Sequence, residues 1–415
     1  MIRVRNRDVW NQVRIIFMGS AVLFLINIYF GFDNAFTTGL LPRAQALIHL
    51  HAGSIGWITL SLIGLAIWIF TGEREVSDSY VNRVRALTYA AIGIFGAYIV
   101  SFGIAYSRGG SFFMLLPIFG TGAMLMIWVA AAYALYELRH QPVTTTMHLL
   151  VAGGLLVAAV GATMGLLLGL EHAIGRFLPI SPNDDRVGVH AGMMDTYIIL
   201  VAAGIIEGLI ASGPAERWTR AGLLQTLFLT TAALLVPFGF LLGLVGELVP
   251  FFGLLLAAGL VTFLIRTGQR ALAYNPLHGG IRAWTWFGSL WVVMFVVLFI
   301  FAAVSFAEDI SASPFWFYVV FSHTAFVGMM TNLLLGVYAL RTANTKHVVA
   351  WGEPVSMWLI NLGLLVFFTL KIAADIRLGA IVMGIGVLLG VGTMMLRLRA
   401  DRPGVPAAAR TALAD

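Results

Sequence analysis

Residues 44–70 have the sequence AQALIHLHAGSIGWITLSLIGLAIWIF, a predominantly apolar run without Asp, Glu, Lys or Arg. An α-helix needs about 20 apolar residues to cross a bilayer, so this run predicts a membrane-spanning helix. The run also contains His49 and His51. Titratable side chains inside a membrane are costly and mark functional positions. This stretch therefore predicts both the kind of fold and a candidate site within it.

The rest of the chain has the same character. Of its 415 residues, 60% are hydrophobic and only 11% are charged, which leaves too little polar surface to cover a water-soluble protein. Apolar stretches of spanning length occur at residues 13–32, 44–70, 84–106, 111–136, 147–170, 187–211, 221–244, 248–265, 283–306, 314–340, 354–373 and 376–396. We therefore expect an all-α integral membrane protein with about 12 transmembrane helices. They form a single domain over residues 1–415, with cytoplasmic basic tails at about 1–12 and 398–415.

The positions of Lys and Arg predict the orientation. When the loops are assigned to alternate sides of twelve spans, 19 of the 25 Lys and Arg residues fall on the side of the N-terminus. Basic residues accumulate on the cytoplasmic side, so both termini are predicted to be cytoplasmic in a multi-pass protein of the cell (inner or plasma) membrane. The first span follows the basic start without a clear cleavage site, so no removable signal peptide is expected. The positive charges are spread among the loops, so lipid rather than nucleic acid is the expected partner.

The chain has no cysteine, which excludes disulfides, iron–sulfur clusters held by thiolates and covalent haem attachment. A metal must therefore be bound by His, Met or carboxylate side chains. Four of the nine histidines are expected to be ordinary interfacial residues, because they lie in or beside cytoplasmic loops: His140, His148, His278 and His347.

The other five histidines lie toward the outer side, on or beside helices 2, 5, 6 and 10: His49, His51, His172, His190 and His323. With a rise of about 1.5 Å per residue, His49, His51 and His323 lie roughly 12 to 15 Å below the starts of their helices. Each could be a neutral histidine bonded to a neighbouring helix. Several histidines at similar depth on different helices favour a metal or haem site instead.

A weak internal repeat links three of these histidines. His51-Ala-Gly-Ser-Ile-Gly, His190-Ala-Gly-Met-Met-Asp and His323-Thr-Ala-Phe-Val-Gly are separated by 139 and 133 residues. Each segment lies four predicted helices after the previous one. The pattern indicates three quasi-repeated arcs of four helices.

With these features the chain resembles the catalytic subunit (subunit I) of the haem-copper oxidase and nitric oxide reductase superfamily, and also the NnrS-type membrane haem proteins. The matching motifs are Arg43-x5-His49-x-His51-x4-Gly56-Trp57 on helix 2, His190 on helix 6 and His323-x4-Gly328-x2-Thr331-Asn332-x2-Leu335-Gly336-Val337 on helix 10. The resemblance covers nearly the whole chain and implies a cytochrome c oxidase subunit I-like fold.

The resemblance implies a low-spin haem, of b type, held between His323 and either His49 or His51. Those two residues differ by about 200° around a helix, so only one can face a given haem edge. Ser322 or Thr324 could fix the ring of His323 by a hydrogen bond. The resemblance also makes three cations candidates for the haem propionates: Arg43, Lys371 and Arg377.

The chain departs from that family at the second metal site. Helix 7 contains no His, Cys, Asp or Glu, so the usual copper ligands are missing. Phe321 stands where helix 10 of the family has an additional histidine, and Met194 stands where helix 6 has a tyrosine. Oxygen reduction by the usual haem-copper mechanism is therefore not expected, and copper or another second metal stays open.

Helix 6 still offers polar groups. His190 and Met194 could bind a second metal, or the methionine could simply pack against lipid or the core. Three residues of the same helix are candidates for a proton relay: Asp195, Tyr197 and Glu207. At the end of helix 5, Glu171 and His172 could bind metal or dock an electron donor, or form a solvated loop.

Three functions fit these observations. The first is a haem-binding redox protein, an oxidoreductase that accepts electrons from a donor subunit, cytochrome c or quinol. It would pass these electrons on, and O2 or NO could be the final acceptor. The second is a haem or gas sensor, or an assembly protein, without turnover. The third is a 12-helix secondary transporter, which the threefold rather than twofold repeat disfavours.

Overall fold

The computed structural model describes residues 2–37, 43–72, 75–175, 177, 182–210, 216–242, 244–305, 314–343, 349–372 and 377–400. Within these ranges the protein is all-helical and contains no β-strand. The helices, numbered as predicted, are α1 (Ile2–Thr37), α2 (Arg43–His51, Ala52–Thr59 and Leu60–Thr71 in succession), α3 (Asp78–Arg108), α4 (Leu115–Leu138), α5 (Thr146–Ile174), α6 (Pro182–Ile210), α7 (Arg220–Leu242), α8 (Val245–Phe263, then Leu264–Gly268 and Gln269–Leu272), α9 (Gly280–Ser305), α10 (Phe315–His323, Thr324–Thr331 and Asn332–Arg341), α11 (Gly352–Ile372) and α12 (Arg377–Ala400).

Each predicted span coincides with one of these helices. Eleven of them are long and apolar enough to cross a bilayer, which confirms a multi-pass helical membrane protein. For the remaining helix, α6, the described apolar part is Thr196–Ile210, and the predicted span at residues 187–211 stays a prediction. Residues 2–12, predicted as a basic tail, instead begin α1, while most of the predicted C-terminal tail lies outside the described residues.

Three helices form the centre of the bundle. Helix α10 packs against both α2 and α6, and α2 and α6 meet where the hydroxyl groups of Thr59 and Tyr197 lie 2.9 Å apart. In the most apolar part of α2, 83% of the residues are buried, compared with 28% in α4 at the periphery. A lipid-exposed helix and a central helix are both apolar, so burial rather than composition identifies the central ones.

Polar side chains in the interior are paired between helices. A chain of hydroxyl groups joins Ser20 of α1, Ser61 of α2 and Tyr338 of α10 at 2.8 and 2.9 Å. Asn332 of α10 and Asn361 of α11 exchange two amide hydrogen bonds at 3.0 and 2.9 Å. An unpaired polar group is expensive away from water, so such bonds fix how the helices face each other.

The central helices α2 and α10 each contain a π-helical segment at a matching place. The segment Ala52–Thr59 follows His51, and the segment Thr324–Thr331 follows His323. Each ends in a threonine whose hydroxyl donates to the carbonyl oxygen five residues earlier, at 2.9 Å in both cases. The short sequence repeat between these two helices therefore has a structural counterpart. π-Helical segments are rare and often lie at functional sites.

Candidate haem site

A cavity of about 120 Å³ lies between α1, α2, α10, α11 and α12. Its walls are mainly apolar and aromatic, and Phe24, Phe32, Trp57, Phe326 and Phe367 contribute rings. The polar side chains that line it are Asn27, Asn34, His49, Ser54, Ser322, His323 and Thr331. An apolar pocket with a few converging polar groups is the usual form of a cofactor site.

His49 of α2 and His323 of α10 face each other across this cavity. Their ring centroids are 6.4 Å apart, and the ring planes differ by 29°. The two residues are far apart in sequence and come from the two helices with matching π-helical segments. The structure therefore brings together two of the three histidines that the sequence singled out for haem.

The separation of the two rings matches that of two ligands on one metal atom. With a zinc–imidazole bond of about 2.0–2.1 Å as the guide, two nitrogens on opposite sides of a metal lie about 4 Å apart. Because each ring centre lies roughly 1.2 Å behind its nitrogen, the two ring centres are then roughly 6.4 Å apart. Rings that simply pack also lie about 4.5–7 Å apart, so the 6.4 Å separation fits a metal between the rings but does not require one.

Both rings are oriented through Nδ1. The Nδ1 of His49 lies 2.8 Å from the backbone oxygen of Asn27, and the Nδ1 of His323 lies 2.7 Å from the backbone oxygen of Val319. A carbonyl oxygen only accepts, so each Nδ1 carries the proton and each Nε2 carries the lone pair. That tautomer is the one in which Nε2 binds a metal. The ring of His323 is thus held by Val319, while the hydroxyl of Thr324 donates to the carbonyl of Val320.

His51 occupies a different environment. Its Nδ1 bonds to the backbone oxygen of Leu47 at 2.7 Å, and its ring lies 4.1 Å from the ring of Phe102 on α3. His51 does not line the cavity. Of the two alternatives on helix 2, the structure therefore places His49, and not His51, opposite His323.

A hydrogen bond between α2 and α10 lies in the wall of the cavity. Nε1 of Trp57 donates to Oγ1 of Thr331 at 3.1 Å. Trp57 comes eight residues after His49, and Thr331 comes eight residues after His323. A π-helix has i→i+5 bonds and winds more loosely than an α-helix, so each segment changes which side chains beyond its histidine face the opposite helix.

Small residues bring α1 close to His49. A Cβ atom placed on Gly31 would lie 3.2 Å from Cε1 of His49, and one placed on Gly53 would lie 2.7 Å from Nδ2 of Asn27. Both glycines line the cavity. Larger residues at these positions would push against the groups that hold the imidazole, so the glycines form part of the cradle.

Several predicted site residues lie outside the described side chains. These are Arg43, His190, Met194, Asp195 and Lys371, although their backbones belong to α2, α6 and α11. Arg377 is exposed at the start of α12. The predictions that assign these residues to propionates, a second metal or a proton relay stay predictions. Among the described residues, no group of three or more His, Cys, Asp or Glu side chains is placed to hold a metal ion.

The remaining relay candidates have structural partners. The hydroxyl of Tyr197, which is fully buried, lies 2.9 Å from Oγ1 of Thr59 and so joins α6 to α2. Glu207 forms two hydrogen bonds with Arg266 of α8, at 2.9 and 3.2 Å. Arg266 also donates to Oε1 of Gln225 on α7 at 2.8 Å. Glu207 is therefore part of an ion pair that joins three helices.

Two other positions singled out by the sequence pack against aromatic rings. Phe321, at the place of the missing family ligand, lies 4.3 Å from the ring of Phe295. His172 lies between Tyr106 and Phe113, with ring separations of 5.5 and 4.6 Å, rather than in a loop with free access to solvent. The carboxylate of the neighbouring Glu171 accepts from the backbone N–H of Phe177 at 3.2 Å.

The structure also reveals contacts that the sequence analysis missed. Asn27 bonds to His49, and Trp57 and Thr331, which the sequence offered only as motif residues, bond to each other in the wall of the cavity. His148, predicted to be an ordinary interfacial residue, is buried and completes a capping box with Thr145 at the start of α5. The sequence Thr145-x-x-His148 places a polar side chain at the third helical position, and this signal could have identified it.

No protein-family model matches the chain, and no curated protein matches it. The class of the protein is therefore defined by its own sequence and structure: a multi-pass helical membrane protein with two facing, half-buried histidines in a largely apolar cavity.

Proposed function

We propose that this protein is a haem-binding membrane redox protein in which His49 and His323 hold one b-type haem. The observation that supports this most directly is the 6.4 Å separation of the two rings, both anchored through Nδ1. Nitrogen ligands, apolar walls and the glycine cradle at Gly31 all fit such a group. The haem would supply a one-electron redox centre, and the fold would be the divergent subunit I-like arrangement that the resemblance implies.

The chain contributes binding, orientation and exclusion of water. His49 and His323 would present Nε2 lone pairs from opposite sides, which leaves no ligand position open and suits electron transfer. The apolar walls keep water away from the metal and so influence its potential. Arg43, Lys371 and Arg377 stay candidates for the propionates, with the outer side as the expected side of the membrane. Both termini would then be cytoplasmic, and the electron donor would be a partner subunit, cytochrome c or quinol.

Electron transfer or sensing without reduction of O2 or NO is the form of this function that we favour. Phe321 packs against Phe295 and Phe317 where the resembling family has a ligand for a second haem. Helix α7 carries none of the side chains that hold copper in that family. A role as a haem or gas sensor, or in assembly, is therefore the second candidate.

The test is an optical spectrum of the purified protein, oxidised and then reduced with dithionite, together with metal analysis. We expect a Soret band and a sharp reduced α-band in the wild type and in His51→Ala. We expect both bands to be lost or strongly altered in His49→Ala and in His323→Ala. His51 is the matched control because it lies on the same helix and faces α3.

Each outcome has a distinct meaning. Retention of the normal spectrum by His49→Ala with loss in His51→Ala would overturn the ligand assignment. Binding of carbon monoxide by the reduced wild type would show an open ligand position and favour reduction of O2 or NO. A wild type without a Soret band after haem-replete expression would overturn the redox function and leave a twelve-helix transporter as the better hypothesis.

A further inference from the structure

We propose that Asn27 of α1 is a positioning residue that fixes the orientation of the His49 ring. This inference rests on the proposed function, because it assigns the residue that orients one of the two haem ligands. Asn27 would not touch the metal itself. It would act through His49.

The contact between Asn27 and His49 is reciprocal. The side-chain amide of Asn27 donates from Nδ2 to the backbone oxygen of His49 at 2.5 Å. The ring of His49 donates from Nδ1 to the backbone oxygen of Asn27 at 2.8 Å. The side chain of each residue thus bonds to the backbone of the other. The position of α1 against α2 and the rotation of the His49 ring are therefore fixed together.

His49 differs in this respect from the other two histidines of α2 and α10. His51 and His323 both use the carbonyl oxygen four residues earlier in their own helices, from Leu47 and Val319. The ring of His323 is therefore oriented within α10. The ring of His49 is oriented by α1, and its direction depends on how α1 packs against α2.

The surroundings leave little freedom for this pair. Gly31 lies one helical turn after Asn27, and a Cβ atom there would approach Cε1 of His49 to 3.2 Å. Gly53 lies one turn after His49, and a Cβ atom there would approach Nδ2 of Asn27 to 2.7 Å. The amide and the ring therefore lie in a close-packed contact between two helices, which restricts rotation of both.

An Nδ1–H group of fixed orientation affects how Nε2 of the same ring binds a metal. A hydrogen bond from Nδ1 fixes the tautomer and raises the basicity of the ligand. Asn27 would thereby control both the affinity for haem and the angle between the two ligand planes, which is 29° in this structure. The electron paramagnetic resonance (EPR) signal of a low-spin ferric haem with two imidazole ligands depends on that angle.

The experiment compares Asn27→Leu and Asn27→Asp with Asn11→Leu. Leucine removes the amide at similar size, whereas a carboxylate opposes the carbonyl of His49. Asn11 lies on the same helix but does not line the cavity, which makes it a matched control. Haem titration of the haem-depleted protein gives the affinity, and EPR of the oxidised protein reports the ligand planes.

We expect both Asn27 variants to bind haem about 10- to 100-fold more weakly than the wild type, the usual effect of losing a group that orients a metal ligand. Their EPR signals should shift or broaden, while Asn11→Leu should match the wild type. Wild-type affinity and signal in both Asn27 variants would overturn the positioning role. Equal losses in Asn11→Leu would overturn it as well. A wild type that binds no haem would overturn the proposed function and this role with it.

Discussion

The indole nitrogen of Trp57 donates to the hydroxyl of Thr331 at 3.1 Å. This bond joins α2 to α10 at positions eight residues after His49 and His323. Both residues are buried. Replacing Thr331 by Val removes the acceptor and leaves a buried N–H group without a partner, which costs about 1–3 kcal/mol. We therefore expect a lower free energy of unfolding, measured by denaturant titration with tryptophan fluorescence.

The control for this change is Thr369→Val. Thr369 is exposed on α11, and its hydroxyl bonds only to carbonyl oxygens of its own helix. If Thr331→Val unfolds at the same denaturant concentration as Thr369→Val, the bond between α2 and α10 does not stabilise the bundle.

A buried ion pair connects the last two helices. Arg397 of α12 is 2% exposed and donates to a carboxylate oxygen of Glu353 on α11 at 2.5 Å and to the backbone oxygen of Thr342 at 3.0 Å. Removing one partner of such a pair leaves the other charge uncompensated and costs about 3–5 kcal/mol. We expect Arg397→Met to lower thermal stability strongly, whereas Arg399→Met, an exposed site two residues later, should have little effect. Equal melting temperatures would contradict this.

Glu207 and Arg266 form the corresponding link between α6 and α8. Their side chains are 23% and 16% exposed, so some solvent screening is expected. Glu207→Gln should lower the free energy of unfolding by about 1.5–3 kcal/mol, the range for a hydrogen bond to a charged group. A double-mutant cycle with Arg266→Gln measures their coupling.

The exposed Glu75 supplies the matched control as Glu75→Gln. If Glu207→Gln is as stable as this control, the pair does not stabilise the bundle. In that case Glu207 would remain a candidate for proton transfer, as the sequence analysis proposed.

Single cysteines can test the predicted topology without background, because the chain has no cysteine. Ser107, in the last turn of α3, and His140, after α4, are both exposed and should lie on opposite sides. With cytoplasmic termini, we expect a membrane-impermeant maleimide to label Ser107→Cys in intact cells and His140→Cys only after permeabilisation. The reverse pattern would place the termini outside.

The sequence by itself determined the class of the protein and the positions of its helices. A run of about 20 apolar residues has few alternatives to a spanning helix, because the backbone must satisfy its own hydrogen bonds in lipid. The same reasoning made His49, His51 and His323 conspicuous. For α6 the described apolar part is Thr196–Ile210, and the span at residues 187–211 stays a prediction.

Only the tertiary structure decided which groups meet. A soluble helix reveals its inner face by an apolar stripe, but lipid and the protein interior are both apolar, so these helices carry little such signal. The rotation of each helix is set instead by bonds between residues far apart in sequence, such as Asn27 with His49 and Trp57 with Thr331. For this reason the sequence could name both His49 and His51, and only the packing of α1, α2 and α10 could place His49 opposite His323.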